Sequence, residues 1–414
     1  MQLSDINLLD RDRFTEGIPH EWFTYLRLNA PIYHHPEPAG PGFWVFTKHD
    51  DVTAIGRDAK HFSSEQSRGG VVMLEEPEEP ISFEQGGNLM LTMDPPPHTR
   101  YRRLVNRGFT PRMIGMLEPH IRDLTGRIMD DALAKGEVDF VVEVASELPL
   151  QVIAELMGVP QEDRHKIFDW SNRMIGSEDP EYSVSVEQVQ QAQFEMFMYA
   201  QSLADRRRAE PRDDIITKLL SADVDGDQLN EMDFNLFFLL LAVAGNETTR
   251  NAISHGMNAF LEHPDEYERL VADPSLMDTA VEEILRWASP VMYFRRNLTS
   301  DLDYKGHQLK EGDKVGIWYV SANRDEDVFK DPFTFDIGRQ PNDHIAFGGG
   351  GPHHCLGANL ARMEIKLFFE ELTRRVGRVE AVGSPDRLRS NFIGGIKHLP
   401  VRFHPAGATQ VATA

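Results

Sequence analysis

The chain has 414 residues, 41% apolar and 26% charged, with a formal net charge of −23 and one cysteine. This is the composition of a globular protein; the acidic balance excludes a general nucleic-acid binder, which needs Lys and Arg for phosphates, and one cysteine excludes an internal disulfide, as expected in a reducing cytosol. No basic and apolar leader follows Met1, the longest apolar run (236–244) is short of the ~20 residues that span a bilayer, and no repeat or linker divides the chain; the expectation is a single cytoplasmic domain over 1–414, not inserted in a membrane, with a disordered tail from about 405 to 414.

In chain order, strand-like runs such as Gly42-Phe43-Trp44-Val45-Phe46 occupy 30–55. An irregular stretch, 63–97, follows; loops of that length are usually functional or disordered. Its glutamates, among them Glu75, Glu76 and Glu84, read as a solvated face. The run Asp94-Pro95-Pro96-Pro97-His98 then opens the helical part, with Pro well placed at a helix start. His98 and Arg102 lie four apart on one face, which is either solvated or built to hold carboxylates. Apolar spacings of three and four predict helices over 98–109, 111–134, 148–157, 163–174 and 187–210. The longest, 230–263, is apolar enough in its middle to be buried on most faces. A further helix covers 274–287 and ends before Pro290. Short strands are expected at 293–299, 304–308 and 314–320, a helix at 358–376, and strands near Val379 and Val401. The fold class is mainly α with small β-sheets.

Three motifs carry the chemistry. The long helix is interrupted by Ala244-Gly245-Asn246-Glu247-Thr248-Thr249. Mid-helix threonines bond back to the preceding turn, and Gly245 weakens the helix. The motif is either a kink with a satisfied polar spot or an acid–alcohol pair that delivers protons. Glu283 and Arg286 can pair across one helical turn, and Arg339 is a candidate third member. Finally, Phe347-Gly348-Gly349-Gly350-Gly351-Pro352-His353-His354-Cys355-Leu356-Gly357 precedes a helix. Four consecutive glycines are entropically costly, and such a run serves close approach or unusual dihedrals. A cysteine ahead of a helix has its thiolate favoured by the free N–H groups. Three readings of Cys355 stand: an inert buried thiol, a nucleophile with His353 or His354 as base, or a haem axial thiolate. A zinc site lacks a second cysteine.

In this order, the acid–threonine helix, Glu-x-x-Arg and the His-x-Cys-x-Gly loop resemble the cytochrome P450 family, over nearly the whole chain from about Phe23 to Phe403. The resemblance implies a triangular helical prism with haem b between the long central helix and the cysteine loop. It implies Cys355 as the iron ligand, Glu247 and Thr248 as the proton-delivery pair, and His98, Arg102, Arg296 and His353 at the haem propionates. Glu283, Arg286 and Arg339 would be structural. Leu240, Val243, Ala244, Thr248, Val291, Met292, Phe294, Phe392 and Ile393 would line the substrate. One departure is visible: Phe347 stands eight residues before Cys355, where the common bacterial loop has seven, so one glycine is inserted. The stretches 243–251, 286–291 and 394–400 are similar to bacterial members that oxidise methyl-branched lipids, sterol side chains or terpenes.

The implied activity is hydroxylation of an apolar small molecule by O2. Two electrons would come from a ferredoxin and its NAD(P)H-dependent reductase, since no Gly-x-Gly-x-x-Gly fingerprint is present. An acidic ferredoxin would meet Arg103, Arg112 and Lys366, and the enzyme would be a monomer. A peroxide-driven oxygenase is the alternative, although peroxide already carries the protons that Glu247 and Thr248 would deliver. A non-catalytic haem carrier or gas sensor would not need that pair, and a cysteine hydrolase would be colourless.

Overall fold

The computed structural model describes residues 1–75, 89–106, 109–183, 185–212, 214–221 and 229–407. The expected tail from 408 onward and the glutamates between 76 and 84 lie outside these residues. The centre of the molecule is the helix Glu231–Glu262. The Asn230 side chain accepts the Asp233 N–H at its start, and Glu231 and Asp233 sit in the first turn, where the helix dipole favours them. Helices Glu147–Leu156, Arg164–Ile175, Val186–Ala209, Met277–Ala288 and Ala358–Arg375 pack around it. They share one apolar core that includes Ile153, Phe238, Ala252, Ile284 and Phe368.

Five strands form the largest sheet, in the order Ile32–His35, Phe43–Phe46, Lys314–Trp318, Tyr293–Leu298, Phe62–Ser63. Only Phe43–Phe46 against Lys314–Trp318 runs parallel. Smaller sheets pair Glu137–Asp139 and Val376–Ala381 with Pro400–Pro405, and Asp386–Arg387 with Ile396–His398. The chain ends are tied together: Asn391 donates to Leu8 O at 2.8 Å.

Several expectations need correction. Within 30–55 the strands stop at Phe46, and His49–Arg57 is a helix, with Val52 and Ile55 on its buried side. The 111–134 helix is broken into Pro111–Gly115 and Glu118–Lys135, because Pro119 cannot continue the ladder of the preceding turn. The 304–308 strand is a hairpin, Leu302–Tyr304 with His307–Leu309; Lys305 and Gly306 both take positive φ, as a tight two-residue turn requires. Helices His20–Asn29 and Pro264–Ala272 were not anticipated. Glu75 is not part of a solvated face but pairs with Arg11.

Candidate functional site

The cysteine loop is closed by Cys355 N–H donating to Phe347 O at 3.0 Å. The inserted glycine is absorbed inside that closure, where Gly348, Gly350 and Gly351 all have positive φ. The run faces the helix His49–Arg57. A Cβ on Gly349 would stand 2.7 Å from Thr53 Cα, and one on Gly351 2.5 Å from the Gly56 carbonyl. Arg57 Nε adds a bond to Gly349 O at 2.8 Å. The glycines therefore permit close approach to a helix, whereas a Cβ on Gly357 would meet nothing.

Burial pushes the Cys355 thiol up; backbone N–H groups of Gly357 and Ala358, and the charges of Arg102 and Arg362, act against that. A metal cation at the sulfur would reverse the balance. The side chain lies deep in the molecule by its surroundings, yet protein atoms leave its surface uncovered. These agree if the thiol opens on interior space. Neither His353 nor His354 hydrogen-bonds to Cys355 among the described residues, so no base is in place for a nucleophilic thiol.

Arg102 donates to Pro352 O at 2.8 Å and to His354 O. It clamps the cysteine loop from the helix Pro97–Asn106. His98, 1% exposed, stands one turn away, with its ring 4.3 Å from that of His353. His98 Nδ1 and His353 Nε2 are buried without partners among the described residues. Desolvation, with Arg102 adding, lowers the His98 pKa to about 4; desolvation, then Arg296 and His98, lowers that of His353 to about 3. Arg296, 4% exposed, donates to Arg295 O at 2.8 Å, and its own pKa is lowered by burial. Asp94 acts on His98 and Arg296 from a distance, but no carboxylate bonds to His98, Arg296 or His353 among the described residues. Unpaired donors at this depth call for an anion.

On the central helix, Glu247 and Thr248 diverge. Glu247 is 1% exposed and pairs with Arg250, which also holds Asn172 Oδ1 at 2.9 Å. Burial raises its pKa, and Arg250 opposes the shift. Thr248 Oγ1 bonds back to Ala244 O at 2.8 Å, as mid-helix threonines do. Ala244 is exposed and Val243 and Thr248 half-buried, although this part of the helix is otherwise deep in the core. This stretch of the helix therefore presents a face that protein atoms leave uncovered. Gly245 has a packing role that the sequence does not reveal: a Cβ would stand 2.9 Å from Ile153 Cδ1.

Glu283 and Arg286 are fully buried and joined by two bonds of 2.7 and 2.8 Å. Arg339 Nε reaches Glu283 at 3.1 Å, as do Asn342 Nδ2 at 3.1 Å and the Asp336 N–H at 3.0 Å. Arg286 spends its other donors on Asn323 O and Pro332 O, both at 2.9 Å. Asn323 Oδ1 in turn accepts Ile345 N–H at 2.8 Å, linking the network to the segment before the cysteine loop.

Among the expected lining residues, Leu240 is partly buried, Val291 bridges to Ile393, and Phe294 packs on Phe392 with ring centroids 5.7 Å apart. Phe294 and Arg296 share one face of their strand. Met292 does not join them. It is 1% exposed and packs with Phe14 and Tyr293, beside Ile18. Its position next to Val291 put it on the opposite side of an extended segment.

The chain matches the sequence model of the family described as Cytochrome P450 over residues 75–376. It is 44% identical to a steroid C26-monooxygenase of Mycolicibacterium smegmatis, over 99% of this chain and 96% of that protein. It is 43% identical to a methyl-branched lipid omega-hydroxylase of Mycobacterium tuberculosis, over 97% and 95%. A solved Mycobacterium marinum cytochrome P450 in complex with pseudoionone superposes with a TM-score of 0.89 at 37% identity, covering 96% of this chain and 98% of that one.

Proposed function

The chain belongs to the cytochrome P450 family and is a haem b monooxygenase, and on that premise we propose that it hydroxylates a terminal methyl group of a sterol side chain or methyl-branched lipid. The observation that supports this most is the near full-length identity to relatives named for steroid and methyl-branched-lipid oxidation. The overall change is R–H + O2 + 2 e⁻ + 2 H⁺ → R–OH + H2O. The bound haem supplies oxygen activation at its iron, and a thiolate ligand favours O–O cleavage.

The chain's residues fit that group. Cys355 would hold the iron, its sulfur aided by the Gly357 and Ala358 N–H groups. His98, Arg296 and His353 would take the propionates, which supply the anionic charge their cluster lacks. Arg102, given over to the loop carbonyls, positions the cysteine loop. Ala244 and Val243, with Phe294, Phe392 and Ile393, would exclude water and present the alkyl chain. Thr248 releases its proton only by leaving the Ala244 carbonyl, and Glu247 only by loosening from Arg250. Both moves are local side-chain rotations. Glu283, Arg286 and Arg339 would hold the segments that flank the cysteine loop.

We assign the electrons to a ferredoxin with its NAD(P)H-dependent reductase, and the protein to the cytoplasm as one monomeric domain. Among the described residues no helix is long and apolar enough to cross a membrane. The deciding measurement is the absorption spectrum of the reduced, carbon-monoxide-bound protein. A thiolate-type Soret shift, lost in Cys355→Ser, is expected; its absence in the wild type defeats the ligand assignment. Sterols and methyl-branched fatty acids should then give a low-to-high spin shift and chain-end alcohols.

A further inference from the structure

Beyond Thr248 the central helix carries a second polar pair, Asn251 and His255. Ala244, Thr248, Asn251 and His255 are spaced four, three and four apart, so they lie along one stripe of the helix Glu231–Glu262. The stripe begins on the face that protein atoms leave uncovered at Ala244, and it ends buried. An amide and an imidazole at such depth are costly unless bonded, and both are spent on the backbone of one short turn. His255 Nε2 donates to Gly394 O at 2.8 Å, and Asn251 Oδ1 accepts the Ile396 N–H at 3.2 Å. Burial, with Arg387 adding, lowers the His255 pKa to about 3. The ring is therefore neutral, and the Gly394 carbonyl fixes its one proton on Nε2. Asn251 Nδ2 is buried without a partner among the described residues. Turning the amide over would not relieve it, because its NH2 would then face the Ile396 N–H. The bond to Ile396 is kept at the cost of an unmet donor.

The turn itself is stiff. Ser390 Oγ accepts the N–H groups of Phe392 and Ile393, each at 3.1 Å. Gly394 N–H donates to Pro290 O at 2.9 Å, and Met292 N–H to Phe392 O at 2.8 Å. Gly395 permits the close approach to the helix: a Cβ there would stand 3.0 Å from Leu388 Cβ and 3.3 Å from Asn251 Oδ1. The turn is thus a unit that carries Phe392 with it. Phe392 is half-buried and packs on Phe294, with ring centroids 5.7 Å apart.

We propose that Asn251 and His255 are positioning residues that set which C–H bond of the substrate is oxidised. They tie the turn to the same stripe that carries Ala244 and Thr248, and so fix how far Phe392 stands from the uncovered face of the helix. Both act through the turn, since both are buried and bonded to its backbone. The inference rests on the proposed substrate, a chain that ends in a methyl branch. In such a chain the tertiary C–H at the branch is weaker than the C–H bonds of the terminal methyls. A site with a loose wall oxidises the branch point, whereas a wall held at a fixed distance admits the chain end-on and presents a methyl.

The test uses the holoenzyme and a fatty acid that ends in an isopropyl group. The wild type should give mainly the primary alcohol. In His255→Leu the ratio of primary to tertiary alcohol should fall about three- to tenfold, the range of one lost hydrogen bond, and Asn251→Ala should act in the same direction. His255→Gln should restore the ratio, because its amide can donate to Gly394 O. Hydrogen exchange of the substrate-free holoenzyme gives a second readout: the peptide containing Ile396 should exchange about three- to tenfold faster in His255→Leu and Asn251→Ala. The reduced, carbon-monoxide-bound spectrum should be the same in all of these proteins. An unchanged product ratio, a ratio that His255→Gln does not restore, unchanged exchange or an altered carbon-monoxide spectrum overturns the proposal. Should His255→Leu not fold, Asn251→Ala carries both measurements. If the wild type makes no primary alcohol, the substrate reading fails instead, and hydrogen exchange alone decides the positioning role.

Discussion

Two buried polar clusters near the cysteine loop are built on opposite plans. Around Glu283 every charge is answered: the carboxylate receives Arg286, Arg339, Asn342 and a backbone N–H, and Arg286 fills its remaining donors with carbonyls. Around His98, Arg296 and His353 the first two are nearly as deep, but among the described residues no carboxylate bonds to the three and two ring nitrogens have no partner. A closed network of the first kind holds a fold together, and its loss is a loss of structure. An open network of the second kind is destabilising by itself and makes sense only with a ligand that completes it. The contrast separates scaffold from cofactor site without reference to any relative.

It can be broken by exchanging the outcomes. Glu283→Gln strands two buried arginines and should cost about 3–5 kcal/mol, seen as a collapse of the urea midpoint whether or not haem is bound. Arg296→Leu removes a buried cation that has no acid. The haem-free protein should then be as stable in urea as the wild type, or more so. Haem affinity should fall about 10–100-fold, for the loss of a charge-assisted bond to a propionate. If Arg296→Leu destabilises the haem-free protein as Glu283→Gln does, the two clusters are not different in kind.

How much of this could be read from the sequence depended on whether the signal was periodic or geometric. The helix of Glu247 and the Glu283–Arg286 pair were legible because their spacings map directly onto one element. Arg102 was expected at the haem propionates; its bonds to Pro352 O and His354 O were not legible, since they require two segments 250 residues apart to meet. The glycine run announced unusual dihedrals, and three of its members have them. That Gly349 and Gly351 abut Thr53 and Gly56 is a tertiary fact with no local trace. The direction of Met292 was not legible for a simpler reason: adjacency to Val291 says nothing of it, and neighbours in extended chain face opposite sides. The orphaned nitrogens of His98 and His353 are invisible in any sequence, because a missing partner is a property of the packed whole.

The same opposition recurs within one turn of the central helix. Glu247 is closed off by Arg250, while Thr248 sits beside the uncovered Ala244 with only a back-bond to its own helix. Thr248→Ala should therefore leave the fold and the carbon-monoxide spectrum intact, changing stability by less than about 1 kcal/mol, since the lost bond is a single one within the helix. Its effect should appear in coupling, with product per oxygen consumed falling several-fold and peroxide released instead. Unchanged coupling would remove Thr248 from proton delivery and leave it as a threonine satisfied within its own helix.

The smallest effect comes from a cluster where solvent does the balancing. His398 touches Asp139 through Nδ1 and Glu181 through Nε2, the latter at 2.9 Å, and Lys397 shares Glu181 at 2.8 Å. Burial works to lower the His398 pKa, but the two carboxylate bonds outweigh it, so the value lies above the ordinary 6.5. A histidine raised in the folded state stabilises fully below its unfolded pKa and loses that contribution as pH rises through the folded one. The wild type should therefore lose stability relative to His398→Gln between about pH 6 and pH 8.5, by under about 1 kcal/mol because the side chain is 39% exposed and screened. Urea midpoints of the two proteins at the ends of that range measure the difference directly. A difference as large as that of Glu283→Gln would mean that exposed and buried ion clusters contribute alike here, and the distinction between closed and open networks would lose its basis in burial.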